Sequence, residues 1–180
     1  MAGIGKTTIA KALYNQISSN FDVKKFVPNI KGRMKDSVTL KQVLRYFLGE
    51  KVKRKVLLIL DNVRSERELE VLPVTLECFG PGSIIIITTR QVKHDRFHGI
   101  GVNHIYRVKE MDYNECVELF SWTAFKKVTP ERSFSRLINY AIEYCDGLPF
   151  ALVAIGSVLL ERSIEEWESV LQRLESSGGA

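Results

Sequence analysis

Cysteine is scarce in this sequence, and long hydrophobic runs are missing. Only Cys78, Cys116 and Cys145 occur among 180 residues, and their odd number and wide spacing fit neither a disulfide framework nor a zinc site. No apolar run approaches the roughly 18 residues that a membrane-spanning helix needs. Lys6 and Lys11 interrupt the apolar stretches near the start, so no signal peptide is expected. We therefore predict buried free thiols in a reducing compartment, the cytoplasm, with the nucleus as an alternative.

The composition that is present is typical of a globular protein with unevenly distributed charge. Hydrophobic residues make up 45% of the chain and charged residues 26%, which argues against disorder. Residues 1–107 hold 19 Lys and Arg against 9 Asp and Glu, whereas residues 108–180 hold 7 against 12. The densest basic cluster, at 51–55, has no interleaved aromatic residues. We interpret it as a solvated loop and expect no nucleic acid partner.

Hydrophobic periodicity predicts an α/β arrangement before about residue 108. Helices and strands should alternate there, at 6–19 (helix), 25–30 (edge strand), 40–48 (helix), 56–60 (strand), 84–87 (strand) and 104–108 (strand). Ile9 is expected on the apolar face of the first helix. The two continuous apolar runs, at 56–60 and 84–87, predict strands of a parallel sheet that are buried on both faces.

After about residue 110 only helical periodicity remains. Four helices are expected, at 112–126, 133–145, 148–161 and 164–175. The chain is therefore predicted to divide into an α/β subdomain at 1–108, a small all-α bundle at 109–176 and a frayed tail at 177–180.

A glycine-rich segment near the start carries the first candidate chemistry. It consists of Gly3, Ile4, Gly5, Lys6, Thr7 and Thr8. Its glycines would let backbone N–H groups wrap a phosphate, while Lys6 reaches the terminal phosphates, Thr7 holds Mg²⁺ and Thr8 adds a hydroxyl near the α-phosphate. The helix that follows would add the partial positive charge of its N-terminus. The full pattern has one more glycine, which would fall before Met1, and the alternative is a glycine-rich helix start without a ligand.

Three later positions are further candidates, each with a plainer alternative. Asp61 follows a buried strand, where α/β folds bind ligands and where a carboxylate could hold Mg²⁺, although such a residue can also form a turn. Arg90 leaves the next strand and could reach a terminal phosphate, or could pair with a surface carboxylate. Gly147-Leu148-Pro149 taken alone is ordinary helix punctuation.

Taken together and in order, these elements resemble the NB-ARC domain of plant disease-resistance proteins of the nucleotide-binding, leucine-rich-repeat type. The similar segments are 1–8 (glycine-rich loop), 55–63 (Walker B motif), 82–90 (sensor motif) and 145–152 (G-L-P-L-A-L motif). Segments 120–125 and 167–174 look more like the branch that carries an N-terminal Toll/interleukin-receptor domain. The resemblance implies the parallel sheet of a P-loop NTPase lacking its first strand, followed by a small helical bundle, and so a fragment of a longer chain.

The function implied by the resemblance is an ADP- and ATP-binding switch in defence signalling. The family's roles fall on Gly3, Ile4, Gly5, Lys6, Thr7 and Thr8 for phosphates, Thr7 and Asp61 for Mg²⁺, Asp61 for catalysis, Arg90 for sensing the terminal phosphate, and Pro149 for contact with the nucleotide. Implied partners within the parent protein are a Toll/interleukin-receptor domain, a second helical subdomain and leucine-rich repeats.

One departure from the family pattern affects hydrolysis. Asn62 stands where the family usually has a second acid, and an asparagine cannot act as a general base. The resemblance therefore implies at most a slow ATPase that still binds nucleotide. Two other readings stay open: a P-loop phosphotransferase, for which neither an acceptor pocket nor an arginine-bearing lid is recognisable, and a truncated fragment that no longer binds nucleotide.

Overall fold

The structure is a computed structural model. The residues that it describes are 1–29, 53–64, 79–90, 104–127 and 132–177. The chain separates into two compact units. The sheet unit is Lys6–Tyr106, and the helical unit combines Met1–Gly5 with Arg107–Ala180. The predicted α/β fold class is confirmed.

A parallel sheet organises the sheet unit. Its described helix and strands are α1 (Lys6–Ile17), β1 (Val23–Val27), β2 (Val56–Val63) and β3 (Ile84–Thr89). The described strands have the order β1-β2-β3, and β2 pairs in parallel with both neighbours. Parallel pairing aligns the carboxyl ends of neighbouring strands, so the residues that end β2 and β3 share one edge of the sheet.

The two long apolar runs differ in burial. Every residue of Val56–Leu60 is at most 2% exposed, as expected for a central strand that is covered on both faces. Ile84 is 41% exposed, and the rest of β3 is only partly buried. The predicted burial on both faces is therefore confirmed for β2 and wrong for β3, which among the described strands pairs only with β2.

Helix α1 packs on the sheet through a small residue. The buried cluster here consists of Ala10, Phe21, Leu57 and Ile59, with Tyr14, Ile17, Phe26 and Ile86 packed around it. Ile9, predicted on the apolar face, is instead 44% exposed. Ala10 faces the strands in place of Ile9, and its short side chain lets the helix approach the strands closely.

Two expectations for the strands need correction. The edge strand is confirmed among the described strands, but it spans Val23–Val27 and stops before Pro28, whose missing N–H cannot serve a strand ladder. The strand predicted at 104–108 is wrong. That segment has no regular structure, and Ile105 and Tyr106 are 51% and 80% exposed. Its apolar side chains are therefore not buried as those of a strand within the sheet would be. The helix expected at 40–48 lies outside the described residues.

The four helices predicted after residue 110 are confirmed. They are α2 (Tyr113–Phe125), α3 (Ser135–Cys145), α4 (Pro149–Leu159) and α5 (Ile164–Ser177). Helix α2 begins at a capping box, in which the Asp112 carboxylate accepts the Glu115 N–H at 2.9 Å and the Glu115 carboxylate accepts the Asp112 N–H at 2.9 Å. Each bond satisfies an amide that the helix itself cannot serve.

Aromatic residues dominate the core of the helical unit. Trp167 is 1% exposed, and its ring lies 4.7–5.8 Å, centroid to centroid, from those of Phe120, Phe125 and Phe134. Its Nε1 donates to the Leu159 carbonyl at 2.8 Å, so the one polar atom of the indole is satisfied inside the core.

Two of the three cysteines lie within the described residues. Cys116 and Cys145 are buried free thiols, as predicted, and Cys78 lies outside. Burial raises the pKa of Cys145 to about 11, with a smaller contribution from Cys116, so both protonation and packing make this thiol a poor nucleophile at neutral pH. No helix within the described ranges has the length and hydrophobicity to cross a membrane.

Candidate functional site

A buried carboxylate bonded to two hydroxyls marks the carboxyl edge of the sheet. The Thr7 hydroxyl donates to Asp61 Oδ1 and Oδ2, at 2.9 and 3.1 Å. The Thr88 hydroxyl donates to Oδ1 at 2.6 Å. Asp61 is only 5% exposed, and a buried carboxylate is costly unless donors replace its lost water. Hydroxyls from two other elements supply those donors.

Each member of this cluster comes from the end of a different element. Thr7 lies in the first turn of α1, Asp61 near the carboxyl end of β2, and Thr88 near the end of β3. The strand does not end on Asp61 as predicted but continues to Val63. The three side chains meet because α1 begins at the same edge at which the parallel strands end.

A local irregularity in β2 fixes the Thr88 hydroxyl. The pairing of β2 with β3 shifts register between Leu60 and Val63, and Asn62 between them has a positive φ of 60°. Its backbone N–H donates to Thr88 Oγ1 at 2.9 Å. The hydroxyl therefore accepts from the backbone of β2 while it donates to Asp61, which leaves it a single orientation.

Two cationic side chains, Lys6 and Arg90, interact electrostatically at this edge. The pKa of Lys6 is lowered first by partial burial and then by the Arg90 guanidinium, while Asp61 acts in the opposite direction. Two cations that disfavour each other beside one carboxylate leave net positive potential. A bound anion would relieve that repulsion, and Lys6 also opens α1, whose N-terminus favours an anion.

The glycines that precede Lys6 have backbone conformations suited to a tight loop. Gly3 and Gly5 have φ values of +79° and +91°, which residues with a Cβ rarely adopt. The Phe150 N–H donates to the Gly3 carbonyl at 3.2 Å. Pro149 Cγ lies 4.0 Å from where a Cβ on Gly5 would be. Within the helical unit, the loop glycines thus lie beside the start of α4.

The structure groups most of the sequence-predicted site residues. Lys6, Thr7 and Asp61 come together in the sheet unit, with Arg90 close enough to act on Lys6. Gly3, Gly5 and Pro149 come together in the helical unit. Of the remaining two, the Ile4 side chain is buried at 8% exposure and Thr8 is exposed. The roles assigned to these residues stay predictions.

Sequence reasoning missed two residues of this edge. Thr88 bonds Asp61 directly, and Asn29 accepts a hydrogen bond from Asn62 Nδ2 at 3.2 Å. A signal for Thr88 was available, because a polar residue ends each of two neighbouring apolar runs and such ends meet in a parallel sheet. No comparable signal marks Asn29, because its pairing depends on the positive φ of Asn62.

The donor set suits magnesium bound together with a nucleotide. The described residues contain no group of three or more His, Cys, Asp or Glu side chains arranged to hold a metal. Mg²⁺ is usually held by one or two carboxylates together with phosphate oxygens and water, not by a protein cage. One carboxylate, Asp61, beside one hydroxyl, Thr7, fits that chemistry.

Comparison with known proteins assigns the family. The sequence profile described as "NB-ARC domain" matches residues 29–129, which is more than half of the chain. The chain belongs to the NB-ARC domain family. The matched stretch includes β2, Asp61, β3 and Arg90 but not α1. The strand residues of the sheet edge therefore lie within the NB-ARC match, and nucleotide binding is implied. The family predicted from the sequence is confirmed.

Relatives match nearly the whole chain. "Disease resistance protein RUN1" of Vitis rotundifolia is 34% identical over 97% of the chain and 15% of its own length. "Disease resistance protein RML1B" of Arabidopsis thaliana is 34% identical over 97% of the chain and 19% of its own length. "TMV resistance protein N" of Nicotiana glutinosa is 32% identical over 98% of the chain and 17% of its own length. The chain thus spans less than a fifth of each of these relatives.

Proposed function

We propose that this NB-ARC domain binds ADP and ATP with Mg²⁺ and serves as the switch module of a plant disease-resistance signalling protein. The observation that carries the proposal is the hydrogen-bonded group of Thr7, Asp61 and Thr88 at the carboxyl edge of the sheet. It places a buried carboxylate and a helix-terminal hydroxyl together, beside Lys6. P-loop proteins hold Mg²⁺ and phosphates with this combination of side chains.

The proposed roles follow the chemistry of each side chain. In the sheet unit, Lys6 neutralises the terminal phosphates and Arg90 senses the terminal phosphate. Thr7 and Asp61 would hold Mg²⁺, which would offset the negative charge of the phosphates. Thr8, exposed in the first turn of α1, offers its hydroxyl to the α-phosphate.

In the helical unit, the proposed contacts are mostly made by the main chain. Gly3, Ile4 and Gly5 present backbone N–H groups to phosphate, as loops with positive φ can do. The inward-facing side chain of Ile4 anchors this loop, because it is 8% exposed. Pro149 contacts the nucleotide from the start of α4. In the parent protein we propose a Toll/interleukin-receptor domain, a second helical subdomain and leucine-rich repeats as intramolecular partners.

Hydrolysis is proposed to be slow. The residue after Asp61 is Asn62, whose amide cannot take a proton from an attacking water. Its Nδ2 is also engaged by Asn29 at 3.2 Å. A module of this kind would keep bound ATP unhydrolysed for long periods, which suits a switch better than a turnover enzyme. A second reading, a P-loop phosphotransferase, is not favoured by the family match, and transfer of labelled phosphate from ATP to a small acceptor would revive it.

The test is a thermal titration with ADP of the wild type, Lys6→Ala and Lys11→Ala. Lys11 lies on the same helix and is exposed, so it controls for removal of a lysine from α1. At 100 times Kd, ADP should stabilise the wild type and Lys11→Ala by about 2.7 kcal/mol, seen as a higher melting temperature. Lys6→Ala should show little of this gain.

Two results would contradict the proposal. A folded wild type whose melting temperature ADP leaves unchanged would mean that this chain binds no nucleotide. Equal stabilisation of Lys6→Ala and the wild type would remove Lys6 from the phosphate site.

A further inference from the structure

The first turn of α4 lacks a capping side chain. Leu148 precedes the helix and makes no side-chain hydrogen bond to it, and Pro149, the first helical residue, has no N–H. The first donor that needs a partner is therefore the Phe150 N–H, since amides in the first turn have no acceptor within the helix. The Gly3 carbonyl accepts it at 3.2 Å. The backbone of the glycine-rich loop thus replaces the usual Ser, Thr or Asp cap.

Position 3 is restricted by this contact as well as by its own backbone. Gly3 has a φ of +79°, and a Cβ there would lie 3.0 Å from Phe150 Cβ. A Cβ cannot swing away as the end of a long side chain can, so the backbone of one partner would have to move. The Phe150 ring is 73% exposed, and its Cγ and Cδ1 would lie 3.8 and 4.0 Å from the added Cβ. The ring would therefore make only ordinary van der Waals contact, and the close approach is to Phe150 Cβ.

We propose that the start of α4 is the support that holds the glycine-rich loop in its phosphate-binding conformation, with Phe150 as a positioning residue. The inference rests on the proposed nucleotide binding and adds to it a structural link between Gly3 and α4. Coupling between two sites is reciprocal. Phosphate bound to the loop therefore strengthens the cap of α4, so that the helix responds to nucleotide occupancy through a backbone hydrogen bond.

The first experiment compares two glycine substitutions in the 180-residue chain. Gly82 matches Gly3 in backbone conformation, with a φ of +76°, but the atom nearest to its added Cβ is Cε of the flexible Lys55 side chain, at 3.2 Å. Gly3→Ala should weaken ADP affinity by about tenfold or more, measured by calorimetric titration in Mg²⁺. Gly82→Ala carries the same φ strain, so it should keep the wild-type affinity while its melting temperature falls to a similar extent.

A rescue variant separates the contact from the strain. Gly3→Ala/Phe150→Gly removes the Cβ that the new methyl group meets but leaves the unfavourable φ. We expect it to recover part of the ADP affinity that Gly3→Ala loses. No recovery would mean that the contact with α4 is not what restricts position 3.

The second experiment uses the wild type alone, so its result does not depend on whether a variant folds. Hydrogen exchange of the Phe150 amide is followed in the wild type with and without ADP. Bound ADP should slow this exchange several-fold, more than it slows exchange at the middle of α5. An unchanged rate at Phe150 in a protein that binds ADP would overturn the proposed link.

The possible outcomes distinguish failure of this inference from failure of the proposed nucleotide binding. If the wild type fails to bind ADP, both proposals fall together. If the wild type binds ADP, Lys6→Ala does not, and Gly3→Ala binds as the wild type does, then the phosphate site stands and the support by α4 is wrong.

Discussion

In the sheet unit the buried carboxylate of Asp61 is bonded by hydroxyls from two other elements, whereas the buried hydroxyls of the helical unit, those of Ser121 and Thr123, bond to no other element among the described residues. Thr123 Oγ1 bonds the Leu119 carbonyl of its own helix at 2.7 Å. Ser121 is 0% exposed, and its hydroxyl has no hydrogen-bond partner among the described residues. Polar burial that converges from separate elements is the mark of a site. Polar burial within one helix is a by-product of packing.

The cores of the two units differ in a related way. The helical unit concentrates its packing on Trp167 and the three phenylalanine rings around it. The sheet unit spreads its packing along the aliphatic residues of β2, next to the polar edge. We infer that a substitution in the helical core changes stability most, and that a substitution at the sheet edge changes ligand binding most.

The largest expected effect is that of Trp167→Ala. Removing this buried ring and its hydrogen bond to the Leu159 carbonyl should lower the free energy of unfolding by about 3–5 kcal/mol, measured by urea denaturation. The control is Trp122→Ala, because Trp122 is 56% exposed and its loss should cost about 1 kcal/mol or less. Equal losses in the two variants would contradict the account of the helical core.

Much of this difference between the units could be predicted from the sequence. Amphipathic spacing located all four helices of the helical unit, because each buries one face against the others. The run Val56–Leu60 predicted a central strand, because β-branched and aliphatic residues without alternation need cover on both faces. Because Asp61 directly follows that run, its carboxylate was expected near the carboxyl end of the strand.

Other features depended on contacts that the sequence does not encode locally. The segment 104–108 has strand-forming residues but stays irregular with Ile105 and Tyr106 exposed, and whether such a segment pairs depends on a neighbour. The turn of Asn62 to a positive φ sets the hydrogen bonds to Thr88 and Asn29, and no residue pattern predicts it. The hydrogen bond between Phe150 and Gly3 joins segments almost 150 positions apart, so only the folded chain reveals it.

Asn62→Asp tests whether Asn62, at the polar edge of the sheet unit, limits ATP hydrolysis. A carboxylate at this position could act as a general base, and such a group typically contributes 100-fold or more to a rate. We expect ATP turnover, measured as phosphate release, to rise by roughly that factor. Asn29→Asp adds the same charge nearby without placing it after Asp61 and should have no such effect. Unchanged turnover in Asn62→Asp would show that Asn62 is not what limits hydrolysis.

The smallest expected effect is that of Ser121→Ala in the helical unit. The Ser121 hydroxyl is buried without a partner among the described residues, and an unsatisfied buried polar group costs roughly 1–3 kcal/mol. Its removal should leave stability unchanged or raise it by up to about 1 kcal/mol in urea denaturation. A marked loss of stability would mean that the Ser121 hydroxyl has a hydrogen-bond partner. The buried hydroxyl would then be satisfied, as the Asp61 carboxylate is in the sheet unit.

The central claim is that the polar edge of the sheet unit holds Mg²⁺ and nucleotide phosphates, and Asp61→Asn tests it most directly. The side chain keeps its size and can still accept hydroxyl hydrogen bonds, but it loses the charge that would attract the metal. ATP affinity is measured by calorimetric titration with Mg²⁺ and with a chelator, in the wild type and in the variant. The account predicts tighter binding with Mg²⁺ in the wild type and nearly equal affinities under the two conditions in Asp61→Asn. A folded variant that keeps the full gain from Mg²⁺ would contradict it.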